Sequence, residues 1–203
     1  MQTTMAFTMR YWKNGKNWIH SLFIAFLLLG SVQAADLAQF QAERSDEGVL
    51  LSAQVRFDMS NVIEDTLSKG IPLFFVMDGQ VVRERWYWID KKVCGSERRV
   101  RLAFQPLMRR WRLSVATGSF DSTLGLTLSR NFESLGEALS SLKRVARWNI
   151  CDTSALGELD SGSRYRVDFR FRLDVNELPR PFQIGAIGQT DWDITAFTSQ
   201  PLR

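Results

Sequence analysis

The chain has 203 residues, 45% of them hydrophobic and 24% charged, with a formal net charge of +4 and one histidine, His20. This length and composition are typical of a single globular domain with a buried core. His20 lies in an N-terminal segment that we expect to be removed. A mature chain without histidine excludes Ser-His-Asp and Cys-His catalysis and histidine-ligated metals.

The N-terminal segment has the order of features found in export signals. A basic start precedes an apolar run over residues 22–29, and small residues follow up to Ala35. This pattern predicts a signal peptide over residues 1–34 and a periplasmic mature protein, residues 35–203. The apolar run is shorter than the ~20 residues that span a bilayer. The alternative interpretation is an uncleaved membrane anchor over residues 21–35. We expect contact with the membrane only if this segment is retained.

Cleavage of this segment changes the charge of the protein. The segment carries three basic residues and no acidic residue, so the net charge of the mature chain falls to near +1. A domain that binds nucleic acid normally carries a large positive charge. The mature composition therefore argues against a nucleic acid as partner.

The first part of the mature chain predicts two strands and a helix. Residues 49–58 alternate between apolar and polar side chains, which predicts a half-buried strand, and an earlier strand is expected near residues 37–43. Asn61 and Glu64 resemble a capping box, with Asn61 as the N-cap. We therefore predict a helix over residues 61–69, ended by Gly70.

The next part predicts the middle of a sheet. Residues 73–77 are apolar on both faces, as in a strand covered from both sides. Asp78-Gly79 is either a two-residue hairpin turn or a bulge in a strand that continues to Asp90. Residues 99–104 and 110–115 alternate and are predicted to pair as an antiparallel hairpin, with shorter β-segments near residues 124–128.

The last part predicts a second helix and the longest strand. A capping box at Ser134 and an apolar stripe predict a helix over residues 135–146, followed by a short strand near residues 148–151. Residues 164–175 alternate without exception, so they form a strand with an apolar face and a charge-balanced outer face, which we interpret as scaffold. Residues 178–183 contain two prolines and are predicted to be an extended crossing segment.

These elements predict a mainly β fold. Trp192 and Ile194 are expected to dock the C-terminal segment onto the body of the domain. The predicted architecture is an antiparallel β-sandwich or a strongly curved sheet with two flanking helices, near residues 61–69 and 135–146.

Cys94 and Cys151 are the only cysteines. In an oxidising compartment a disulfide between them is one interpretation, and two buried unpaired thiols are the other. Their spacing does not give the Cα separation that a bridge requires, so both interpretations stay open. The chain lacks a C-x-x-C motif, which makes a redox function the weaker expectation.

The candidate binding surface consists of aromatic and arginine side chains. The segment 85–88 combines Trp86 and Trp88 with a neighbouring arginine, which is typical of a binding face but also of tryptophans that fill a core. Further arginines follow, and they form either an anion-binding patch or solvated strand faces paired with acidic neighbours. The candidates are Arg85, Trp86, Trp88, Arg99, Arg101, Arg110 and Arg112, with Arg98 and Arg109 in the same predicted hairpin.

Four segments resemble one family in their order along the chain. They are residues 70–73 (GIPL), 85–88 (RWYW), 178–183 (LPRPFQ) and 191–192 (DW). The family is a domain of unknown function in exported proteins of Gram-negative bacteria, and the likeness extends over about residues 45–195. The resemblance implies an envelope protein linked to signalling, because family members are often encoded beside a sensor histidine kinase of the nitrogen-regulation type. It also favours the bulge at Asp78-Gly79, and it supplies no catalytic residue.

Two functional hypotheses follow. The first is a non-enzymatic periplasmic module that binds a protein or another envelope component. The second is an envelope enzyme that uses two of its own carboxylates to act on a glycan. No P-loop, EF-hand or dinucleotide-binding motif is present in the sequence. We therefore expect no cofactor, no metal and no catalytic residue.

Overall fold

Two antiparallel β-sheets make up most of the computed structural model. The structure describes residues 35–85, 87, 89–117, 127–156, 163–186 and 188–202. The strands of this part of the chain are β1 (Asp36–Ser45), β2 (Gly48–Arg56), β3 (Leu73–Arg83), β4 (Lys91–Gln105), β5 (Arg110–Thr117), β6 (Thr127–Phe132), β7 (Arg144–Cys151), β8 (Tyr165–Leu173) and β9 (Thr195–Pro201). The helices are α1 (Asn61–Ser68), α2 (Leu135–Leu142), α3 (Thr153–Leu156) and α4 (Arg180–Ala186), and 3₁₀ turns occupy Val175–Glu177 and Thr190–Trp192.

The smaller sheet has the strand order β1-β2-β7, and the larger one has the order β6-β5-β4-β3-β8-β9. The sheets face each other, because a side chain at Gly79 of β3 would meet Ile150 of β7. The prediction of a mainly β, antiparallel fold with flanking helices is confirmed. Within the described stretches, no helix is both long enough and apolar enough to cross a bilayer.

The strand β8 confirms the strongest sequence prediction. It lies between β3 and β9, and its apolar residues Val167, Phe169 and Phe171 are fully buried. Phe171 stacks on Phe57 and Phe75, with ring centroids 5.4 and 5.5 Å away, so β8 and β3 share one aromatic cluster.

The two sheets are joined by a disulfide. Cys94 of β4 and Cys151 of β7 are bonded, with their Cα atoms 5.5 Å apart, which decides between the two interpretations of these cysteines. Cys94 lies opposite Val81, a fully buried residue of β3, so the bridge is on the side of the large sheet that meets β7.

Both predicted helices differ from the structure at their ends. The N-cap of α1 is Ser60, whose Oγ accepts a hydrogen bond from the Ile63 N–H at 3.3 Å, so the predicted cap at Asn61 was one residue late. Helix α2 ends at Leu142 instead of residue 146. The predicted continuation is wrong because Arg144 and Val145 begin β7 and pair with β2. An apolar side chain such as Val145 fits either a helix or a strand, and the pairing with β2 decided the outcome.

Strand β3 passes straight through Asp78-Gly79. Both residues keep a regular register with β4 and β8, so a hairpin turn and a bulge at these two residues are both wrong. The strand does continue through them, and its irregularity against β4 lies at Val81/Val82. The strand ends at Arg83, before the predicted end at Asp90. Gly79 is required by the second sheet, because a Cβ atom there would lie 2.7 Å from the Ile150 Cγ2 atom.

We expect Gly79→Ala to lower the free energy of unfolding by about 1–3 kcal/mol, since the added methyl group overpacks the contact between the sheets. Urea unfolding measures this change. The same substitution in an Ile150→Ala background should cost clearly less, because the clashing Cγ2 atom is gone. Equal costs in the two backgrounds would contradict the proposed contact.

The C-terminal region contains two elements that the sequence analysis missed. Residues 178–183 are not extended; they lead into α4, in which Pro181 occupies the first turn, where its missing N–H costs no hydrogen bond. Trp192 and Ile194 are each only 5% exposed, which confirms that they dock this segment. They are followed by β9, which pairs with β8.

Candidate functional site

The candidate site is the outer face, the side of the six-stranded sheet turned away from the three-stranded sheet. Side chains alternate along a strand, so the neighbours of the buried inner residues lie on this side. Cross-strand pairing places them in rows across β5, β4, β3 and β8. Its main members are Phe74, Val76, Asp78, Glu97, Arg99, Arg101, Arg112, Arg166, Asp168, Arg170, Arg172 and Phe197.

The centre of the outer face is an apolar residue between two arginines. Val76 lies directly opposite Arg99 on one side and Arg172 on the other, and it is only 2% exposed. The aliphatic stems of arginine are long enough to cover such a residue. Both arginines have acidic partners: Arg99 binds Glu97 and Glu177 at 2.9 and 3.0 Å, and Arg172 lies 3.5 Å from Asp174.

A second group of carboxylates surrounds Arg166. Its guanidinium contacts Asp90 at 2.6 Å and Asp168 at 3.0 Å, and Asp168 also accepts a hydrogen bond from the Ser199 hydroxyl. The hydrogen bond from Arg166 lowers the pKa of the Asp90 carboxyl below its usual range, and the backbone N–H of Arg85 acts in the same direction. A carboxyl that acts as a general acid needs a raised pKa, so this arrangement does not suit Asp90 to that role.

Two arginines of the outer face stack on aromatic rings instead of pairing with acids. The Arg101 guanidinium lies 5.8 Å from the ring centroid of Phe74, and that of Arg170 lies 5.7 Å from Phe197. Both arginines are exposed, and Phe197 is 56% exposed. Neither guanidinium forms an ion pair with another described residue. They are therefore two exposed guanidinium groups of this face that are held by rings and not by a described carboxylate.

The predicted arginine hairpin is present, but it does not place all of its arginines together. Arg99, Arg101 and Arg112 lie on the outer face, with Arg112 bound to the Asn131 side chain at 3.2 Å. Arg110 follows at the edge and lies 3.5 Å from Glu133, with both side chains more than half exposed. Arg98 lies on the inner side, 4.7 Å above the Trp148 ring, and burial lowers its pKa.

The aromatic segment is at the other end of the sheet. Arg85 follows the end of β3, whose last residue, Arg83, pairs with Lys91. Lys91 and Arg101 are ten residues apart on β4, or about 33 Å along a strand. Arg85 and Arg101 therefore lie at opposite ends of the sheet, too far apart to contact one small ligand. Trp86 and Trp88 are outside the described residues, so their predicted role stays a prediction.

The sequence analysis missed Arg170, Phe74 and Phe197 as candidate site residues. Arg170 was assigned to a charge-balanced face, which holds for its neighbours Arg166 and Arg172 but not for Arg170 itself. The alternation in residues 164–175 already placed these three arginines on one side. Which of them lacks an acidic partner depends on β9 and the 3₁₀ turns, and no local pattern shows this.

Two clefts among the described residues each contain a single acid. One, of about 480 Å³, lies beside Leu173 and Trp192 and includes Asp193 as its acid. Another, of about 490 Å³, lies between β1 and β9 and includes Glu43. Among the residues that the structure describes, no group of three or more His, Cys, Asp and Glu side chains is placed to hold a metal ion.

Comparison with known proteins gives one match. The family model described as a domain of unknown function, DUF4390, matches residues 32–200, which is most of the chain. No curated protein and no solved structure matches significantly.

Proposed function

The chain belongs to the DUF4390 family, a domain of unknown function, and we propose that it is an exported, non-enzymatic module that binds a protein partner in the periplasm. The observation that carries this proposal is the outer face. Its exposed arginines and aromatic rings are the residue types enriched in the centres of protein interfaces. The family resemblance suggests that the partner is part of envelope signalling.

Two further features are compatible with export. The first 34 residues have the order of a signal peptide, with a basic start, an apolar run and small residues. The Cys94–Cys151 disulfide is stable in an oxidising compartment such as the periplasm and rare in the cytosol. Together they support a mature protein that begins at Ala35 and folds outside the cytoplasm.

The alternative, an enzyme that acts on an envelope glycan, has no observation in its favour. Such an enzyme needs two carboxyl groups roughly 5–10 Å apart in a cleft. Three carboxylates converge, those of Glu84, Asp90 and Asp168, and all three lie within 4 Å of the Arg166 guanidinium. Release of soluble fragments from purified envelope glycan by the wild-type protein would favour the enzyme over the binding module.

Position-specific cross-linking in intact cells tests the proposed function. A photoreactive amino acid at Thr127 or Thr195 would lie at either border of the outer face, since these residues are on β6 and β9 and exposed. We expect one discrete adduct from both positions. The control position is Val62 in α1, which is 44% exposed and belongs to neither sheet. Absence of adducts at both border positions, or the same adduct from Val62, would refute the proposal.

A further inference from the structure

We infer that the outer face binds an acidic, extended protein segment, with Arg101 and Arg170 as the two anion contacts. This inference rests on the proposed function and adds to it the chemistry of the partner. It goes beyond the family assignment, which names no ligand.

The contacts of the other arginines on the outer face distinguish these two residues. Arg99, Arg166 and Arg172 are each within 4 Å of a carboxylate, so their charge is largely balanced inside the domain. Arg112 is half-buried, and its guanidinium binds the Asn131 side chain. Among the described residues, Arg101 and Arg170 contact aromatic rings and no carboxylate within ion-pair distance, and both are exposed. A partner carboxylate can approach them without displacing an acid that is already bound.

The ring contacts also prepare the two guanidinium groups for binding. A guanidinium that rests on an aromatic ring has lost part of its side-chain freedom before a ligand arrives. Its N–H groups point outward in the plane of the group, where they can form two parallel hydrogen bonds with one carboxylate. Phe197, which is 56% exposed, adds apolar contact area beside Arg170.

The register gives the distance between the two contacts. Arg101 pairs with Phe74, and Arg170 pairs with Asp78 four residues further along β3. Four residues correspond to about 13 Å along the strand, and the two strands of separation to about 10 Å, so the Cα atoms are about 16 Å apart. An extended segment of about five residues covers this distance. The partner segment should therefore carry acidic residues about five positions apart.

The acids of the same face favour a protein over a dense polyanion. Asp78 and Glu97 are paired on neighbouring strands, and Asp78 lies directly opposite Arg170, so both acids are in the same row as this arginine. A polyphosphate or a sulfated glycan would bring negative charge against these carboxylates, whereas a protein segment can place neutral or basic residues there. The near-neutral charge of the mature chain agrees with this choice, because strong polyanion binding needs a large positive charge.

The test uses the full mature protein and a fluorescent peptide. The peptide is built from serine and glycine and carries two glutamates five positions apart, and the matched peptide carries glutamines there. We expect anisotropy titrations to show that the glutamate peptide binds and that added salt weakens it. Arg101→Gln and Arg170→Gln should each weaken binding about tenfold. Asp78→Asn should strengthen it, because a like charge next to the site is removed.

The matched control is Arg144→Gln, since Arg144 is an exposed arginine on β7, in the other sheet. It should leave binding unchanged. Circular dichroism melts of all four variants confirm that they are folded. Equal binding of the glutamate and glutamine peptides would overturn the inference. So would equal binding by the wild type, Arg101→Gln and Arg170→Gln.

Three further measurements distinguish other possible ligands of the outer face from an acidic protein segment. Tighter binding of inorganic polyphosphate, or of vesicles containing phosphatidylglycerol, that depends on Arg101 and Arg170 would replace the acidic segment by a phosphate-bearing partner. If light scattering shows a stable dimer and Arg101→Gln dissociates it, the ligand of the outer face would be a second copy of the chain and not an acidic segment. Cross-linked adducts from Thr127 and Thr195 that survive both arginine substitutions would leave the proposed function standing and overturn only this inference.

Discussion

Replacement of Phe171 by alanine is expected to lower the free energy of unfolding by about 3–5 kcal/mol. Phe171 is completely buried and stacks on Phe57 and Phe75 at 5.4 and 5.5 Å, so its loss removes apolar burial and leaves a cavity between the sheets. One surrounding ring is held by β3 and the other follows the end of β2, which limits how far the cavity can collapse. Urea unfolding followed by tryptophan fluorescence measures the change.

Phe197→Ala is the matched control for Phe171→Ala. The residue type and the deleted atoms are the same, but Phe197 is on the edge strand β9 and is 56% exposed. We expect it to change the free energy of unfolding by less than about 1 kcal/mol. Similar costs for the two substitutions would show that Phe171 does not occupy the centre of the core. Phe171→Leu, which keeps most of the volume, should fall between the two.

Replacement of both Cys94 and Cys151 by serine is expected to lower the free energy of unfolding by about 4 kcal/mol. The bridge closes a loop with a sequence separation of 57 residues, and without it the unfolded chain gains the corresponding conformational freedom. The loss also removes the covalent link between β4 of the large sheet and β7 of the small one. Guanidinium unfolding under oxidising conditions compares the variant with the wild type.

Reductant provides the control for the cysteine substitutions. The wild type should lose stability when dithiothreitol is added, and the double serine variant should not respond. A wild type that is equally stable with and without reductant would contradict the expected contribution of the bridge. Since the bridge joins the two sheets, we also expect amide protons of β7 to exchange faster with solvent in the variant than in the wild type.

The outer face shows how far local patterns extend toward the candidate site. Alternation in residues 99–104 and 164–175 correctly places Arg99, Arg101 and Arg170 on strand faces. It does not show that β3 lies between these two strands, which brings the arginines to one surface. It also does not show that Arg99 reaches Glu177, a residue 78 positions away. Whether an arginine has an acidic partner depends on residues that are distant in sequence.

The helix ends and Gly79 show the same difference between features that local patterns predict and features that depend on distant contacts. Capping and periodicity identified the start of α2 at Ser134, where the hydroxyl accepts from the Glu137 N–H at 3.2 Å. They did not identify its end, because Val145 pairs with Ala53 of a strand about ninety residues earlier. Gly79 has the local signature of a turn, yet its role is to let Ile150 approach β3.

The sequence by itself determined the strand-rich class of the fold, the faces of its strands, the starts of two helices to within one residue, and the family. These depend on side-chain spacing and on capping, which act over a few residues. Only the tertiary structure decided the strand order, the Cys94–Cys151 pairing and the separation of Arg85 from Arg101. It also decided that no described carboxylate forms an ion pair with Arg101 or Arg170. These depend on which distant strands meet, and many pairings satisfy the same local pattern until the whole core is packed.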